Sequence, residues 1–236
     1  MLTFKNLRFT LSGANESRTL VDDISAEFTP GEVVAITGPS GSGKSTLLSL
    51  ASGLLKPTQG EVWFNGAALP IDEAQCAAVR LQYFGFVFQD IRLINQLNVF
   101  DNIAIPAAFK LGNAAAGRQA AARILDLLGI TIPRHTFPAT LSGGERQLIA
   151  LARALATSPA VIFADEPTAA LDWKRAEHLL TVLRTQTIAK GIITLIVTHD
   201  TRVLTYVDHV TQLENGKLIR IAKPSAAIST TTLMEA

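Results

Sequence analysis

The chain has 236 residues, of which 48% are apolar and 17% charged, with a formal net charge of +1. Such a composition belongs to a folded domain with a sizeable core and excludes a disordered chain, and so small a charge offers no basic field for a nucleic-acid partner. One cysteine, Cys76, excludes an internal disulfide framework and a cysteine-built zinc site, and points to a cytosolic setting.

Apolar alternation at Phe4, Leu7, Phe9 and Leu11 predicts a strand, followed by a polar loop over Ser12–Ser17. A second strand is expected near Ile24–Phe28, turning at Pro30-Gly31-Glu32. Val33–Thr37 is short, apolar and β-branched, the signature of a buried strand. A helix is expected from about Lys44 to Leu55, and a short strand over Gly60–Gly66 ending in the turn Asn65-Gly66. Residues 90 to 158 change character: Phe100–Leu111, Arg118–Leu128 and Glu145–Ala156 have helical spacing and few strand signals. Alternation then resumes with strand Val161–Ala164, helix Arg175–Ala189, strand Ile193–Thr198, a short helix over Thr201–Val207 and a hairpin turning at Asn215-Gly216. The Ser/Thr-rich tail from Pro224 is expected to fray. The pattern is an α/β domain with a helical insertion. Met1–Arg8 lacks the apolar region of a signal peptide, and no apolar run approaches the ~20 residues of a membrane-spanning helix.

Gly38-Pro39-Ser40-Gly41-Ser42-Gly43-Lys44-Ser45 fits G-x-x-x-x-G-K-[ST] between a buried strand and a helix, with Thr46 next. Glycines let the backbone turn its N–H groups onto a phosphate, and the helix N-terminus adds favourable dipole charge. Lys44 supplies a point charge to the β/γ-phosphates of a bound nucleotide, and the Ser45 hydroxyl is placed for Mg²⁺. An ordinary glycine-serine turn would not need that strand–loop–helix setting.

Val161–Ala164 delivers Asp165 and Glu166 to a strand's carboxyl end, where open α/β sheets keep their ligand crevice. Asp165 suits Mg²⁺, and Glu166 suits a general base that polarises the attacking water. Alone, an acidic pair before Pro167 would read as a solvated turn; after a phosphate loop the catalytic reading leads.

Leu141-Ser142-Gly143-Gly144-Glu145 precedes a helix and lies shortly before the acidic strand. The order of phosphate loop, Gln89, Ser-Gly-Gly, acidic strand, Ala170-Leu171-Asp172 and His199 resembles the ATP-binding cassette family over roughly residues 2 to 222. The resemblance implies a RecA-like P-loop NTPase core with an N-terminal antiparallel β subdomain and an inserted helical subdomain. It implies one domain over 1–236, with core and β subdomain at about 1–89 and 159–222, helical subdomain at about 90–158 and tail at 223–236. It further implies that Gln89 senses Mg²⁺ and water, that His199 touches the γ-phosphate, and that Ser142, Gly143, Gly144 and Asp172 serve the ATP held by the other subunit of a homodimer. The implied setting is peripheral, on the cytoplasmic face of the inner membrane, against integral permease subunits.

Phe84–Gln89, Leu93-Ile94 and Asn102-Ile103 look most like the lipoprotein-release, MacB and FtsE group, whose permeases are FtsX/MacB-like. Ile91, Leu93, Ile94, Leu97 and Phe100 suggest a groove for a permease helix. Three positions depart from the family pattern. Glu145 stands for the usual glutamine, Leu148 for a frequent arginine, with Arg146 nearby, and Leu11 occupies the place of the aromatic residue that stacks on adenine, with Phe9 two residues earlier as the alternative contact. Soluble relatives in DNA repair carry a long coiled-coil insertion, and translation factors carry two cassettes, so neither matches this chain. A P-loop kinase or GTPase would not need Leu141–Gly144, and a non-catalytic module would not need Lys44, Asp165, Glu166 and His199 together.

Overall fold

A computed structural model describes residues 1–12 and 17–221. Two sheets organise them. The first is antiparallel, in the order β2-β1-β4-β5, from β1 (Leu2–Ser12), β2 (Ser17–Phe28), β4 (Gln59–Phe64) and β5 (Ala67–Ala68). The second has six strands in the order β10-β9-β3-β8-β7-β6. These are β3 (Val33–Thr37), β6 (Phe84–Val87), β7 (Val161–Asp165), β8 (Ile193–Val197), β9 (His209–Glu214) and β10 (Lys217–Ile221). Its neighbouring strands run parallel except for the β9–β10 hairpin.

The apolar runs of β3, β7 and β8 are continuous because both faces of this sheet are covered. Val33 and Ala35 face one core cluster with Ile162, Ala164 and Ile196. Val34 and Ile36 face the other with Val161, Phe163, Leu195 and Val197. The first cluster continues into α3 (Val99–Leu111), α4 (Ala114–Leu127), α5 (Gly143–Ala156) and α6 (Trp173–Lys190). The second continues into α1 (Lys44–Ala51) and the antiparallel sheet through Leu2, Phe4 and Leu7.

Several boundaries differ from expectation. β2 begins at Ser17 because it pairs with β1 up to Ser12, a long-range ladder invisible in local pattern. α1 stops at Ala51, since Gly53 follows with a left-handed φ of 67°. Helix α2 (Glu73–Tyr83) was not expected: Cys76 is its one buried residue, so it carries no apolar stripe. Its signal is instead Asp72, whose side chain accepts from the Gln75 N–H at 2.9 Å. The tail and the residues of the predicted polar loop between Ser12 and Ser17 lie outside the described residues.

Candidate nucleotide site

Strands β3, β8 and β7 are in register, with Ile36 beside Val197 and Asp165 beside Val197. Their carboxyl ends therefore release three segments at one level: the phosphate loop, Thr198-His199, and Asp165-Glu166. β6 lies next to β7, with Val87 beside Ala164, and this brings Gln89 to the same edge. Parallel pairing thus assembles residues more than a hundred positions apart.

In the phosphate loop, Gly38 has φ 144° and a side-chain carbon there would lie 2.3 Å from the Leu213 carbonyl oxygen. Gly43 caps α1 at φ 98° without any side-chain hydrogen bond, so the first-turn N–H groups remain available to an anion. Lys44 Nζ donates to the carbonyls of Gly38 at 2.9 Å and Pro39 at 2.8 Å, which holds its charge inside the loop.

Glu166 is buried, sits at φ 49°, and its carboxyl oxygen lies within hydrogen-bonding distance of His199 Nδ1, at 2.6 Å. A left-handed non-glycine residue costs on the order of 1–3 kcal/mol and marks a position held by its surroundings. Here the Glu166 N–H donates to the Val197 carbonyl at 2.9 Å, which ties the turn to the neighbouring strand. Burial pushes the Asp165 carboxyl above its ordinary range, and Glu166 adds to this; the Ser45 hydroxyl and Lys44 oppose it. Asp165 Oδ1 and Ser42 Oγ are buried without a hydrogen-bond partner among the described residues. An orphaned carboxylate oxygen beside the Ser45 hydroxyl would suit a hard divalent cation, which Asp165 and Ser45 would hold.

Leu11, Gly38, Ser40, Gly41, Gly43, Lys44, Ser45, Thr46, Gln89, Asp165, Glu166 and His199 line one cavity of about 630 Å³. Pro39 and Ser42 line a smaller cavity on the other side of the same loop. Phe9 is on neither. Phe9 packs partly buried against the apolar core, whereas Leu11, two residues nearer the open end of β1, is exposed at the cavity. The register shift between Phe9 and Thr10 leaves Leu20 of β2 unpaired. The same shift brings in Leu20 and, with it, Arg18, two lining residues that local pattern did not suggest.

Ser142, Gly143, Gly144 and Asp172 do not line this cavity. Ser142 caps α5 and forms a capping box with Glu145, whose carboxylate accepts from the Ser142 N–H at 2.8 Å. A side-chain carbon on Gly144 would lie 3.1 Å from the Ala170 carbonyl oxygen, so the serine-glycine turn packs on the segment leading to Asp172. Asp172 accepts from the Arg175 N–H at 3.0 Å and caps α6. Leu148, the other departure in α5, packs against the first core cluster, and neighbouring Arg146 donates to the Leu141 carbonyl at 2.9 Å.

Of the apolar segment after Gln89, Phe100 is buried, Leu93 packs on the helical core and Ile94 is half-exposed, while Ile91 and Leu93 line a cavity of about 450 Å³ beside Gln89. A second cavity of about 760 Å³ runs along Leu54, Phe86, Phe88 and Arg92, and reaches Ser45, Gln89 and Asp165.

Residues 21–169 match the family model described as ABC transporter. The lipoprotein-releasing system ATP-binding protein LolD of Bordetella pertussis is 40% identical over 84% of this chain and 87% of that protein. The macrolide export ATP-binding/permease protein MacB of Pectobacterium atrosepticum is 38% identical over 96% of this chain, which spans 35% of that longer protein. The dimeric post-hydrolysis structure of the ATP-binding cassette MJ0796, from Methanocaldococcus jannaschii, bound to ADP and Pi, superposes with a TM-score of 0.90 at 34% identity, covering 94% of this chain and 98% of that one. With the phosphate loop, the acidic strand end and the His199 contact gathered on one cavity, the chain belongs to the ABC transporter family, as its ATP-binding and ATP-hydrolysing cassette.

Proposed function

We propose that the chain works as a homodimer that clamps two Mg²⁺-bound ATP molecules, each between the phosphate loop of one subunit and the Ser142–Gly144 turn of the other. The observation that carries this reading is a division within one chain. Lys44, Ser45, Gln89, Asp165, Glu166 and His199 share a cavity, and Ser142, Gly143, Gly144 and Asp172 stand together away from it. A site whose parts are split in this way is complete only against a second copy.

Within it, Gly38–Thr46 holds the phosphates, Ser45 and Asp165 hold Mg²⁺ with Gln89 beside them, and Glu166 takes a proton from the attacking water. When bound, the cation neutralises charge on the β- and γ-phosphate oxygens. His199 orients Glu166 through the Nδ1 contact and faces the γ-phosphate position. Leu11 lies at the base end of the cavity. Closure follows from differential affinity, since only the dimer offers ATP both sets of donors.

The subunit sits peripherally on the cytoplasmic face of the inner membrane, one domain of core, β subdomain and helical subdomain with the boundaries given above. Its permease is of the FtsX/MacB type, a reading supported by the likeness to LolD and MacB. The groove along Leu54, Phe86, Phe88 and Arg92 is where a permease helix docks, next to Gln89.

Glu166→Gln tests the central claim. The amide cannot accept the proton, so turnover falls by about 10²–10⁴-fold while ATP binding persists. Size exclusion with Mg²⁺-ATP then shows a trapped dimer. A monomer combined with near wild-type hydrolysis overturns the assignment.

A further inference from the structure

The base end of the cavity carries an unexpected cation. Leu11 of β1 and Arg18 of β2 are direct cross-strand partners. Side chains so paired leave the same face of a sheet with their Cβ atoms about 5 Å apart. Both line the cavity, and so does Leu20, which the register shift between Phe9 and Thr10 leaves without a partner in the β1–β2 pairing. Arg18 donates through a terminal guanidinium nitrogen to the Gly41 carbonyl of the phosphate loop at 3.2 Å. Among the described residues no carboxylate pairs with Arg18, and its side chain is exposed. Its planar group is therefore held at the loop's outer edge, beside a leucine that can cover a ring face but cannot stack on it.

Arginine differs from lysine in this setting. The guanidinium is flat, delocalised and weakly hydrated, and it lies readily on aromatic rings, purine bases included. Gln89, Asp165, Glu166, Ala169, Val197 and His199 belong to the carboxyl ends of β6, β7 and β8, at the terminal-phosphate end, so a nucleotide whose phosphates fill Gly38–Thr46 is left Leu11, Arg18 and Leu20 of the β1–β2 side for its base. We propose that Arg18, with Leu11 beside it, is the nucleobase-binding surface of this cassette, its guanidinium lying on the purine ring. The proposal rests on the assignment of this cavity to ATP. It recognises an extended purine face rather than a hydrogen-bonding edge, so ATP and GTP bind alike.

The test separates base from phosphate. Wild type, Arg18→Ala and Arg18→Lys are titrated with Mg²⁺-ATP, Mg²⁺-GTP and inorganic triphosphate, which carries the phosphates without a base. Arg18→Ala should weaken ATP and GTP by about two- to fivefold, the range of an exposed cation–π contact, and leave triphosphate unchanged. Arg18→Lys should restore little, because its charge is a point and not a plane. Unaltered ATP affinity in Arg18→Ala overturns the proposal. An equal loss for ATP and triphosphate overturns it too, by making Arg18 a phosphate ligand. Lys44→Ala is the control on the underlying assignment: it must weaken ATP and triphosphate alike, and if it does neither the cavity itself is wrong. Arg18 is exposed, so an unchanged melting temperature verifies that each variant is folded.

Discussion

Two regions meet at Gln89 and are built on opposite principles. On one side, the ends of β3, β7 and β8 are positioned by backbone ladders and by apolar residues buried on both faces. On the other, the segment from Asp90 to Asn98 has neither. Ile91 and Arg92 are consecutive left-handed residues, at φ 63° and 47°, and neither is glycine. What holds them is Arg153 of α5, which donates to the Ile91 carbonyl at 3.1 Å and the Arg92 carbonyl at 2.6 Å. Burial pulls its guanidinium below the ordinary arginine value, yet at any ordinary pH the group stays charged. Further along, Asn102 is almost fully buried and accepts from the Ile94 N–H at 2.9 Å, while its amide reaches the carbonyls of Ile94, Leu97 and Asn98. Hence one wall of the nucleotide cavity is set by the sheet, and the glutamine wall by two polar side chains of the helical region.

The contrast is broken most forcefully at Asn102. Asn102→Ala strands several part-buried backbone groups, each costing about 1 kcal/mol, for a total of about 3 kcal/mol. A melting temperature lower by about 6–12 °C is expected for a chain of this size, read by circular dichroism. A shift under 2 °C, about 0.5 kcal/mol, means that the loop stands without this side chain.

Arg153 gives the next effect, on turnover more than on folding. Arg153→Met removes two charge-assisted hydrogen bonds and lets the left-handed turn relax, so Gln89 loses its placement. Turnover should fall about tenfold with ATP affinity unchanged. Adding Ile91→Gly, which makes that backbone conformation free of steric cost, should recover part of it. Failure of the glycine to help would make Arg153 a packing residue only.

The smallest effect lies at the other end of α5. Ser142→Ala removes an N-cap hydrogen bond and costs about 1 kcal/mol of stability. The Ser142 hydroxyl, followed by the Ser142 N–H, holds the Glu145 carboxyl below its usual range. A depressed carboxyl contributes stability that is present above its unfolded pKa and is lost as pH falls through the lower folded value. The gap between wild type and Ser142→Ala in urea melts is therefore full at pH 7 and narrows below about pH 4. A gap independent of pH excludes the capping box as its source.

Much of the site was legible because its motifs are local. The phosphate loop is one continuous segment whose glycines, lysine and serine need only the strand before and the helix after. Asp165 and Glu166 end a run of buried residues, so their place at a strand's carboxyl end follows from the run itself. Less legible were α2, which shows no apolar stripe, and the four-residue β6, whose Gly85 fits because the Ala154 carbonyl and Pro159 lie about 3.1 Å from where a side-chain carbon would be. In the apolar stretch after Gln89, the pattern did not say which residues turn inward: Phe100 is buried, while Ile91 and Leu93 line a cavity.

Sequence by itself determined the alternation of buried strands and helices, the chemistry at each strand end and the order of the motifs, because periodicity and glycine geometry act over a few neighbouring residues. Only the tertiary structure decided that Leu11 and not Phe9 meets the cavity, that Arg18 stands beside it, and that Arg153 reaches across to the turn after Gln89. Each of these depends on a bulge, a strand register or a helix packing fixed by partners tens of residues away, and no local pattern encodes a choice that distant contacts make.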